Sequence, residues 1–416
     1  MPAYRVPLFA CVSLLVACAR PQIGGTGVGE PREAPNENCV LSTGAVSARA
    51  HTIRIGLTDP VNARHAPLPR NDAERIVFRH LYETPVRFDC EGHVLPELAE
   101  KWVKDDGGRR WTFRLRDDAQ FWDGAPVTAQ DMVFGRGGAG YTLAALETRV
   151  VTVTLAKQMD DVPTVLGDWG MAVTKPAPDT SWPIGTGPYW ATSATTTEQE
   201  IRAQSSRGDT LVFRFAASGD ARDLLDAGVD LLVTRDRALR DYAATLNDLT
   251  VVALPWDRTY VYVTPEAGGT RFDGLEQAVR AEARRAEGGF WWRDLGACGI
   301  PPGGSPPASP GPRRILYPRS DPTARELAGR LAALTHAVAT ARAPDEFTDA
   351  LAGGKDWGYV VALPRVVADR CRMAKDVLPQ WAATITVLVD TRPTAIVRRG
   401  VARWTVDQDG TVHLAP

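Results

Sequence analysis

The sequence predicts an α/β protein built from more than one lobe. The chain has 416 residues, of which 44% are hydrophobic and 24% charged, so it is long enough to bury a sizeable core. Segments that alternate polar and apolar residues are interspersed with segments of helical spacing. This mixture favours helices packed on sheets over an all-α or all-β architecture.

The first ordered elements follow from local patterns. The stretch from Thr52 to Leu57 alternates and predicts a strand. Asn71 or Asp72 supplies the cap of a helix that runs to Tyr82. One face of this helix presents Ile76, Val77, His80 and Leu81.

The cleanest strand signal lies between Arg110 and Arg116. Its apolar side is formed by Trp111, Phe113 and Leu115. Further on, Thr128 and Asp131 have the spacing of a capping box, which predicts a helix that begins at Ala129.

The remaining segments have shorter or weaker patterns. Strands are predicted at Val86–Phe88, Thr148–Leu155, Thr210–Phe215 and Leu231–Val233. Helices are predicted at Leu98–Trp102, Ala221–Ala227, Gly274–Glu287 and Arg325–Val338. The stretch Gly299–Pro312 is dense in Pro, Gly and Ser and predicts a loop.

The N-terminus has the composition of an export signal. Arg5 precedes an apolar run from Val6 to Ala17, which is too short to span a bilayer as a helix. The run ends in Leu15-Val16-Ala17-Cys18, which resembles a bacterial lipobox in which Cys18 is acylated. The alternative is an ordinary signal peptide that contains a cysteine. We expect a signal peptide at 1–17 and a lipid-anchored, Gly- and Pro-rich tether at 18–49.

Four cysteines remain after the signal and the anchor: Cys39, Cys90, Cys298 and Cys371. None lies in a C-x-x-C spacing, so we expect no metal site, and export favours disulfides with three possible pairings. Our hypothesis is that Cys39–Cys90 fastens the tether and that Cys298–Cys371 braces the Pro/Gly loop.

No motif for catalysis or for a cofactor stands in a suitable context. Gly135, Gly137 and Gly140 match the dinucleotide fingerprint, but a predicted helix, not a strand, precedes them. The net charge is −2 and Lys/Arg blocks are absent from the sequence, which argues against nucleic acid as a partner. We therefore expect neither an enzyme nor a resident cofactor, although a triad assembled only in three dimensions stays open.

Several linked segments of the first third carry a family resemblance. They are Leu81–Glu83, Asp89–Gly92, Leu95–Trp102, Trp111–Arg116 and Phe121–Phe134. In order and spacing they resemble the family 5 bacterial extracellular solute-binding proteins, which serve dipeptide, oligopeptide and nickel ABC importers. Weaker similarities continue at Ile184–Tyr189, Leu224–Asp230, Phe272–Asp273, Asp321–Pro322 and Phe347–Asp356.

The resemblance implies a two-lobed periplasmic-binding-protein fold with a hinge and a subdomain inserted in lobe one. Lobe one would span 50–255, with the insert at about 67–168, lobe two 256–380, and the return to lobe one 381–416. It further implies a monomeric, extracytoplasmic lipoprotein that binds a small molecule or peptide between the lobes. The implied partners are an ABC permease and ATPase and, through the lipid anchor, a bacterial membrane.

By position in the family, ligand contacts come from the loop after the first strand, the hinge and the second-lobe tryptophans. The candidate ligand-binding residues are Thr58, Asp59, Trp256, Tyr260, Trp291, Trp292 and Trp357. The chain is shorter than typical members, and after Trp357 it lacks the Asp that pairs with a peptide's α-amine in peptide-binding relatives. This leaves peptide in doubt as the ligand. It also leaves open an alternative, a degenerate binding protein that acts as a sensor or scaffold without transport.

Overall fold

The computed structural model describes residues 39–41, 44, 51–105, 107–133, 140–159, 162–178, 182–216, 219–265, 296–298, 313–364, 378–379, 381–382 and 384–415. The predicted helix at Gly274–Glu287, the loop at Gly299–Pro312 and Cys18, Cys371, Trp291 and Trp292 lie outside these residues.

The described elements alternate between helices and strands along the chain. The helices are α1 (Asp72–Leu81), α2 (Ala129–Val133), α3 (Val162–Leu166), α4 (Arg222–Asp226), α5 (Arg237–Ala243), α6 (Pro322–Thr335) and α7 (Pro344–Gly353). The first eleven strands are β1 (Val40–Leu41), β2 (Thr52–Leu57), β3 (Val86–Phe88), β4 (Val94–Pro96), β5 (Ala99–Lys104), β6 (Arg110–Leu115), β7 (Tyr141–Glu147), β8 (Val150–Leu155), β9 (Tyr189–Trp190), β10 (Glu200–Ser205) and β11 (Thr210–Phe215). The others are β12 (Leu231–Thr234), β13 (Leu249–Ala253), β14 (Arg258–Thr264), β15 (Gly296–Cys298), β16 (Arg314–Pro318), β17 (Val338–Arg342), β18 (Gly358–Pro364), β19 (Thr384–Thr391), β20 (Thr394–Arg398), β21 (Trp404–Val406) and β22 (Val412–Leu414).

Two large sheets form the centres of two lobes, which confirms the predicted two-lobed α/β class. The sheet of lobe one has seven strands in the order β13-β20-β12-β2-β11-β10-β9. The sheet of lobe two has six, in the order β15-β19-β14-β18-β16-β17. One core packs α1 against the first sheet, and two cores cover the faces of the second. Each lobe therefore buries apolar side chains of its own.

The chain crosses between the two sheets in two adjacent segments. The first lies between Ala253 and Arg258, and the second between Thr391 and Thr394. The amide of Leu254 donates to the carbonyl of Pro393 at 3.0 Å, and the Arg392 guanidinium lies 4.6 Å from the centre of the Trp256 ring. We treat these paired segments as the hinge.

The chain was predicted to return to lobe one at residue 381, but in the sheets it returns later along the sequence. Strand β19 still pairs with β14 in lobe two, and β20 is the first strand that joins the seven-stranded sheet. The other domain boundaries stay predictions.

A separate four-stranded sheet, in the order β5-β6-β8-β7, follows α1. Its strand β6 has the predicted alternation, with Trp111, Phe113 and Leu115 buried. The helix predicted at Leu98–Trp102 is wrong, because this segment is strand β5. There Trp102 pairs with Phe113 and stacks on it at 6.0 Å, and this tertiary pairing overrides the helical propensity of the segment.

The local capping predictions are confirmed. The Asn71 side chain accepts a hydrogen bond from the amide of Glu74, and the Asp131 carboxylate accepts from the amide and the hydroxyl of Thr128. The helix predicted at Arg325–Val338 begins and ends earlier, as α6. It stops at Thr335 because His336 adopts a left-handed conformation, with φ of 54°.

The N-terminal segment is fastened to lobe one in two ways. Cys39 and Cys90 form the predicted disulfide, across 51 residues of sequence. Strand β1 pairs with β21 in a three-stranded sheet with β22. The second predicted disulfide, Cys298–Cys371, stays a prediction.

Candidate functional site

A large cavity lies where the parallel strands of both sheets end. In lobe one, β2 pairs in parallel with β11 and β12, and in lobe two β16 pairs in parallel with β17 and β18. Residues that follow or end these strands line one cavity of about 2350 Å³. In open α/β sheets, ligands bind in the crevice beyond the carboxyl ends of the strands. The two sheets therefore turn their binding edges towards the same space.

The size of this cavity fits an open cleft. Pockets for small ligands usually enclose about 300–1,000 Å³. The cavity of about 2350 Å³ exceeds this range and has walls from both lobes, for example Thr58 in lobe one and Ala362 in lobe two. It therefore has room for a small solute and its solvent.

Charged side chains fill the hinge side of the cavity. We call them the cleft cluster, defined as Asp72, Arg235, Asp257, Arg258 and Asp321. Arg235 donates to both carboxylate oxygens of Asp257, at 3.0 Å to Oδ1, and its Nε donates to Asp72 at 3.3 Å. The Arg235 and Asp257 side chains are almost completely buried. This charge-assisted pair fixes the base of the cleft next to the hinge.

Asp72 connects the lobes through this cluster. It stands at the first turn of α1 in lobe one and accepts a short hydrogen bond from Arg258 in β14 of lobe two. Burial alone would raise the pKa of Asp72, but Arg258 and Arg235 outweigh it and hold this pKa well below its usual range. Asp72 is thus a stable anion between two guanidinium groups.

Asp321 completes the cluster from lobe two. One of its carboxylate oxygens caps α6 by accepting from the amide of Ala324 at 2.9 Å, and the other accepts from the Tyr260 hydroxyl at 2.8 Å. The latter oxygen lies 3.8 Å from Nη1 of Arg258. Arg258 is therefore placed between one carboxylate of each lobe.

Asp59, two residues after β2, also lines the cavity. Within the described part of the chain, no hydrogen bond or ion pair engages its carboxylate. Burial and, after it, the nearby charge of Asp72 raise the pKa of Asp59 to about 7 against the opposing effect of Arg258. The side chain is half-buried and lies on the floor of the cleft.

The loop after Asp59 is held by a buried carboxylate. Glu74 of α1 accepts from the amides of Asn62 and Arg70, at 3.0 and 2.7 Å, and lies 2.7 Å from Nδ1 of His65. Because Glu74 is only 1% exposed, these contacts replace its water shell. They give the loop at the mouth of the cleft a fixed course.

The predicted ligand-binding residues fall in different environments. Thr58 and Asp59 line the cavity. Tyr260 is completely buried and bonds to the cavity residue Asp321, whereas Trp357 is buried in a lobe-two core against Tyr262. Trp256 lies in the hinge under Arg392. In this conformation, these three aromatic side chains support the cleft from behind and do not line it.

Most of the cleft cluster escaped the sequence analysis. Asp72 and Arg235 are 163 residues apart in sequence, and Asp72 and Arg258 are 186 apart. No linear motif can reveal such pairs. The available signal was that Asp257 and Arg258 adjoin the predicted hinge, and that Asp321 precedes the proline at the start of α6.

A group of potential metal ligands lies away from the cavity. The ligand atoms of Asp89, Glu91 and His93 are all within 4.8 Å of one another. Asp89 accepts hydrogen bonds from the amides of both Glu91 and His93, so its carboxylate organises the turn between β3 and β4. This role accounts for the group without a metal.

The fold defines the class of protein. NikZ from Campylobacter jejuni, solved with Ni(L-His), superimposes with a TM-score of 0.64 at 13% identity, covering 87% of this chain and 97% of that one. DppA from Helicobacter pylori, solved with the peptide STSA, gives 0.62 at 13% identity, covering 88% and 98%. At this level of identity the likeness concerns the fold, which is that of the two-lobed periplasmic binding proteins.

Sequence comparisons relate part of the chain to a family. The model for the bacterial extracellular solute-binding proteins, family 5 Middle, matches residues 93–204. The chain is 42% identical over 78 residues to the probable deoxycholate-binding periplasmic protein YgiS of Escherichia coli, covering 19% of this chain and 14% of that protein. It is 46% identical over 61 residues to the oligopeptide-binding protein OppA of the same organism, covering 15% and 11%.

Thus the matched segments span only a small part of these curated relatives. Where the structure describes the chain, none of its helices has the length and apolar character needed to cross a membrane.

Proposed function

We propose that this protein captures a small solute in the cleft between its lobes and delivers it to an ABC importer. The observation that carries the proposal is the cavity of about 2350 Å³ between the carboxyl ends of parallel strands from both sheets. The match of residues 93–204 to the family 5 model supports it, because the similar proteins are named as binding proteins. The protein then acts by binding and not by catalysis.

The mechanism is closure of the lobes about the hinge. A solute that contacts both walls stabilises the closed state, because those contacts are complete only there. Two short crossing segments, joined by the Leu254–Pro393 hydrogen bond, permit rotation with little unpacking of either core. An importer would recognise the closed shape.

The proposed site of action is the periplasmic or cell-surface side of a bacterial membrane. Cys18 would carry the lipid, and the segment from there to Cys39 would serve as the tether. From Cys39 the disulfide to Cys90 fastens the chain to lobe one. The lipid thus localises the protein as a monomer near the permease and ATPase without a constraint on lobe two.

The ligand class extends beyond free peptides. Solved structures of the same fold hold Ni(L-His), the peptide STSA and, in AgaA, agropinic acid. Here the last residues of β18 on the cavity wall are Val361, Ala362, Leu363 and Pro364. They supply no carboxylate for a peptide amine, so unmodified dipeptides are expected to bind weakly.

A thermal-shift screen of peptides, sugars, opines and metal chelates tests the proposal. A solute that binds only the folded protein at about a hundredfold excess over its Kd adds about 2.7 kcal/mol of stability. Each hit is repeated with Thr58→Trp, which places an indole on the cavity wall next to Asp59, and with Ala144→Trp on the exposed strand β7. Solute capture predicts a shift that Thr58→Trp abolishes and Ala144→Trp retains. Equal shifts in both variants would place binding elsewhere, and the complete absence of hits favours the scaffold alternative.

A further inference from the structure

The carboxylate of Asp59 has charged groups around it but no hydrogen-bond or ion-pair partner among the described residues. The groups that act on it are Asp72 and Glu74 from α1, Arg258 from β14 and Asp321 at the start of α6. Three of these four groups are acidic. Asp59 therefore faces a negative surrounding in which its own ionisation is unfavourable.

The two guanidinium groups of the cleft cluster are already engaged. Arg258 donates to Asp72 and lies 3.8 Å from Asp321. Arg235 donates to Asp257, at 3.0 Å to Oδ1, and to Asp72 at 3.3 Å. To serve Asp59, either arginine would have to leave a carboxylate buried at the hinge without its cation, which is costly.

The other charges of this side of the cavity are also paired. Arg75 lies 3.6 Å from Asp72, and Arg70 lies 3.5 Å from Asp345 of lobe two. Glu74 is occupied by the loop that contains His65 and Arg70. Among the described residues, Asp59 is thus a carboxylate of the cavity wall that hydrogen bonds and ion pairs leave available for a solute.

We propose that the captured solute carries an ammonium or guanidinium group that binds the carboxylate of Asp59 and displaces its proton. This proposal rests on the proposed function and names the chemical class of the solute. The step is balanced: the neutral carboxyl releases one proton to solvent, and the solute cation forms a charge-assisted hydrogen bond to the resulting carboxylate. No covalent bond forms or breaks.

The position of this anchor differs from that expected from the peptide-binding relatives. Their amine-pairing carboxylate would stand on lobe two after Trp357, where this chain has the apolar end of β18. Asp59 stands on lobe one, after the central strand β2. The solute cation is therefore held at the floor of lobe one, and its remainder extends towards the apolar wall of lobe two.

Binding of a cationic solute to Asp59 should then become tighter as the pH rises. Because the pKa of Asp59 is raised to about 7, the carboxylate is mostly protonated at about pH 6 and mostly ionised at about pH 8. A cation that needs the ionised form binds more tightly as the pH rises. The affinity gain between these two values is about tenfold.

The test uses a matched pair of probes: putrescine, which carries two ammonium groups, and the neutral 1,4-butanediol. Binding is measured by calorimetry at about pH 6, 7 and 8, in two buffers with different ionisation enthalpies. We expect the charged member to bind, its neutral partner to bind at least tenfold more weakly, and the affinity to rise about tenfold with pH. Proton release, seen as buffer-dependent heat, should accompany binding at the lower pH values.

Two variants decide whether Asp59 is responsible. Asp59→Asn should abolish the charge preference and the pH dependence. Asp241→Asn, an exposed carboxylate of α5 that pairs with Arg240, should leave both unchanged. A pH dependence that persists in Asp59→Asn, or charged probes that bind no better than neutral ones, would overturn the proposal. If neutral solutes or metal chelates bind the cleft instead, solute capture stands and only the cationic class fails.

Discussion

The protein contains two clusters of charged side chains with different roles. One lies among the segments that resemble the family, and the other lies in the cleft. The family-like segments around α1 and β6 meet at a buried network, which we call the joint cluster: Arg79, Glu97, Asp407 and His413. Arg79 donates to Glu97 and to Asp407, both at 2.6 Å. Arg79 lies in α1, Glu97 lies between β4 and β5, and Asp407 and His413 lie after β21 and in β22. The cleft cluster, in contrast, spans both lobes.

Neighbouring family motifs complete the joint. Arg116 donates to Glu83 at 3.0 Å, and the amide of Trp122 donates to the carbonyl of Gly185 at 3.0 Å. A Cβ atom at Gly185 would lie 2.2 Å from the carbonyl oxygen of Leu81, so only glycine fits this contact. The recognisable signature is therefore largely a structural joint. The residues that would choose a solute lie outside it.

Because the two clusters differ in this way, mutations in them should separate effects on folding stability from effects on solute binding. The side chains of the joint cluster are largely buried within one lobe, although Arg79 and Asp407 reach the cavity wall, so the cluster should contribute mainly to folding. The cleft cluster has one open side and must tolerate lobe motion, so its loss should change shape and binding more than folding.

The largest expected effect is on the joint cluster. Replacing Arg79 with Met leaves Glu97 and Asp407 buried without their cation, which should lower the free energy of unfolding by about 3–5 kcal/mol. Urea denaturation measures this loss. Solute affinity of the folded protein should be unchanged.

Arg330→Met serves as the control, because Arg330 pairs with Glu326 on the surface of α6 and should contribute below about 1 kcal/mol. Equal losses for the two variants would mean that the joint cluster is energetically no different from a surface ion pair.

A smaller loss of stability is expected at Asp72. In Asp72→Asn, Arg235 keeps Asp257 and Arg258 keeps Asp321, so the loss should be about 1–2 kcal/mol. The lobes, however, lose the carboxylate that ties α1 to β14. We expect a larger radius of gyration in small-angle scattering and weaker solute binding. An unchanged radius and unchanged affinity would show that this contact does not control the lobes.

Replacing Asp59 should produce a smaller effect of opposite sign. Its pKa rises from 3.8 to about 7 on folding, so the folded protein holds this proton across a range in which the unfolded chain has lost it. The stability contributed by this group therefore falls as the pH rises through that range. Asp59→Asn removes the penalty, and at about pH 8 it should be more stable than the wild type by roughly 1 kcal/mol after allowance for solvent screening. Thermal unfolding at about pH 4 and pH 8 checks this, and an equal difference at both would contradict it.

The smallest effect on folding is expected at Cys18. Cys18→Ala leaves both clusters intact, so the free energy of unfolding should not change. The substitution should instead change where the protein is found in the cell. Cell fractionation should recover the variant as soluble or unprocessed protein. A variant that stays membrane-bound with the mass of the mature wild type would refute the lipid anchor.

Local patterns predicted much of the fold. The Asn71 cap, the Thr128–Asp131 capping box and the alternation of β6 depend on neighbours within a few residues, so they can be predicted from the sequence alone. Strand β5 was mistaken for a helix because its partner β6, with Phe113, decides its conformation. Segments with strong local signals were predictable, and segments defined by pairing were not.

The site was less predictable for the same reason. Thr58 and Asp59 were found by their position after the first strand, and they do line the cavity. Tyr260 and Trp357 were proposed by their position in the family, and both side chains are buried in a lobe-two core, where their aromatic rings serve packing. Charge pairs more than 160 residues apart, such as Asp72 with Arg235, have no sequence period and appear only in three dimensions.

The central claim is that a solute occupies the cleft between the two sheets. Native mass spectrometry of the protein purified from its own periplasmic extract tests it directly, in parallel with Thr58→Trp and the control Ala144→Trp. The account predicts a small-molecule adduct on the wild type and on Ala144→Trp, and none on Thr58→Trp, whose indole obstructs the cavity wall beside Asp59. An adduct retained by all three proteins, or no adduct on any of them after incubation with the extract, would contradict it.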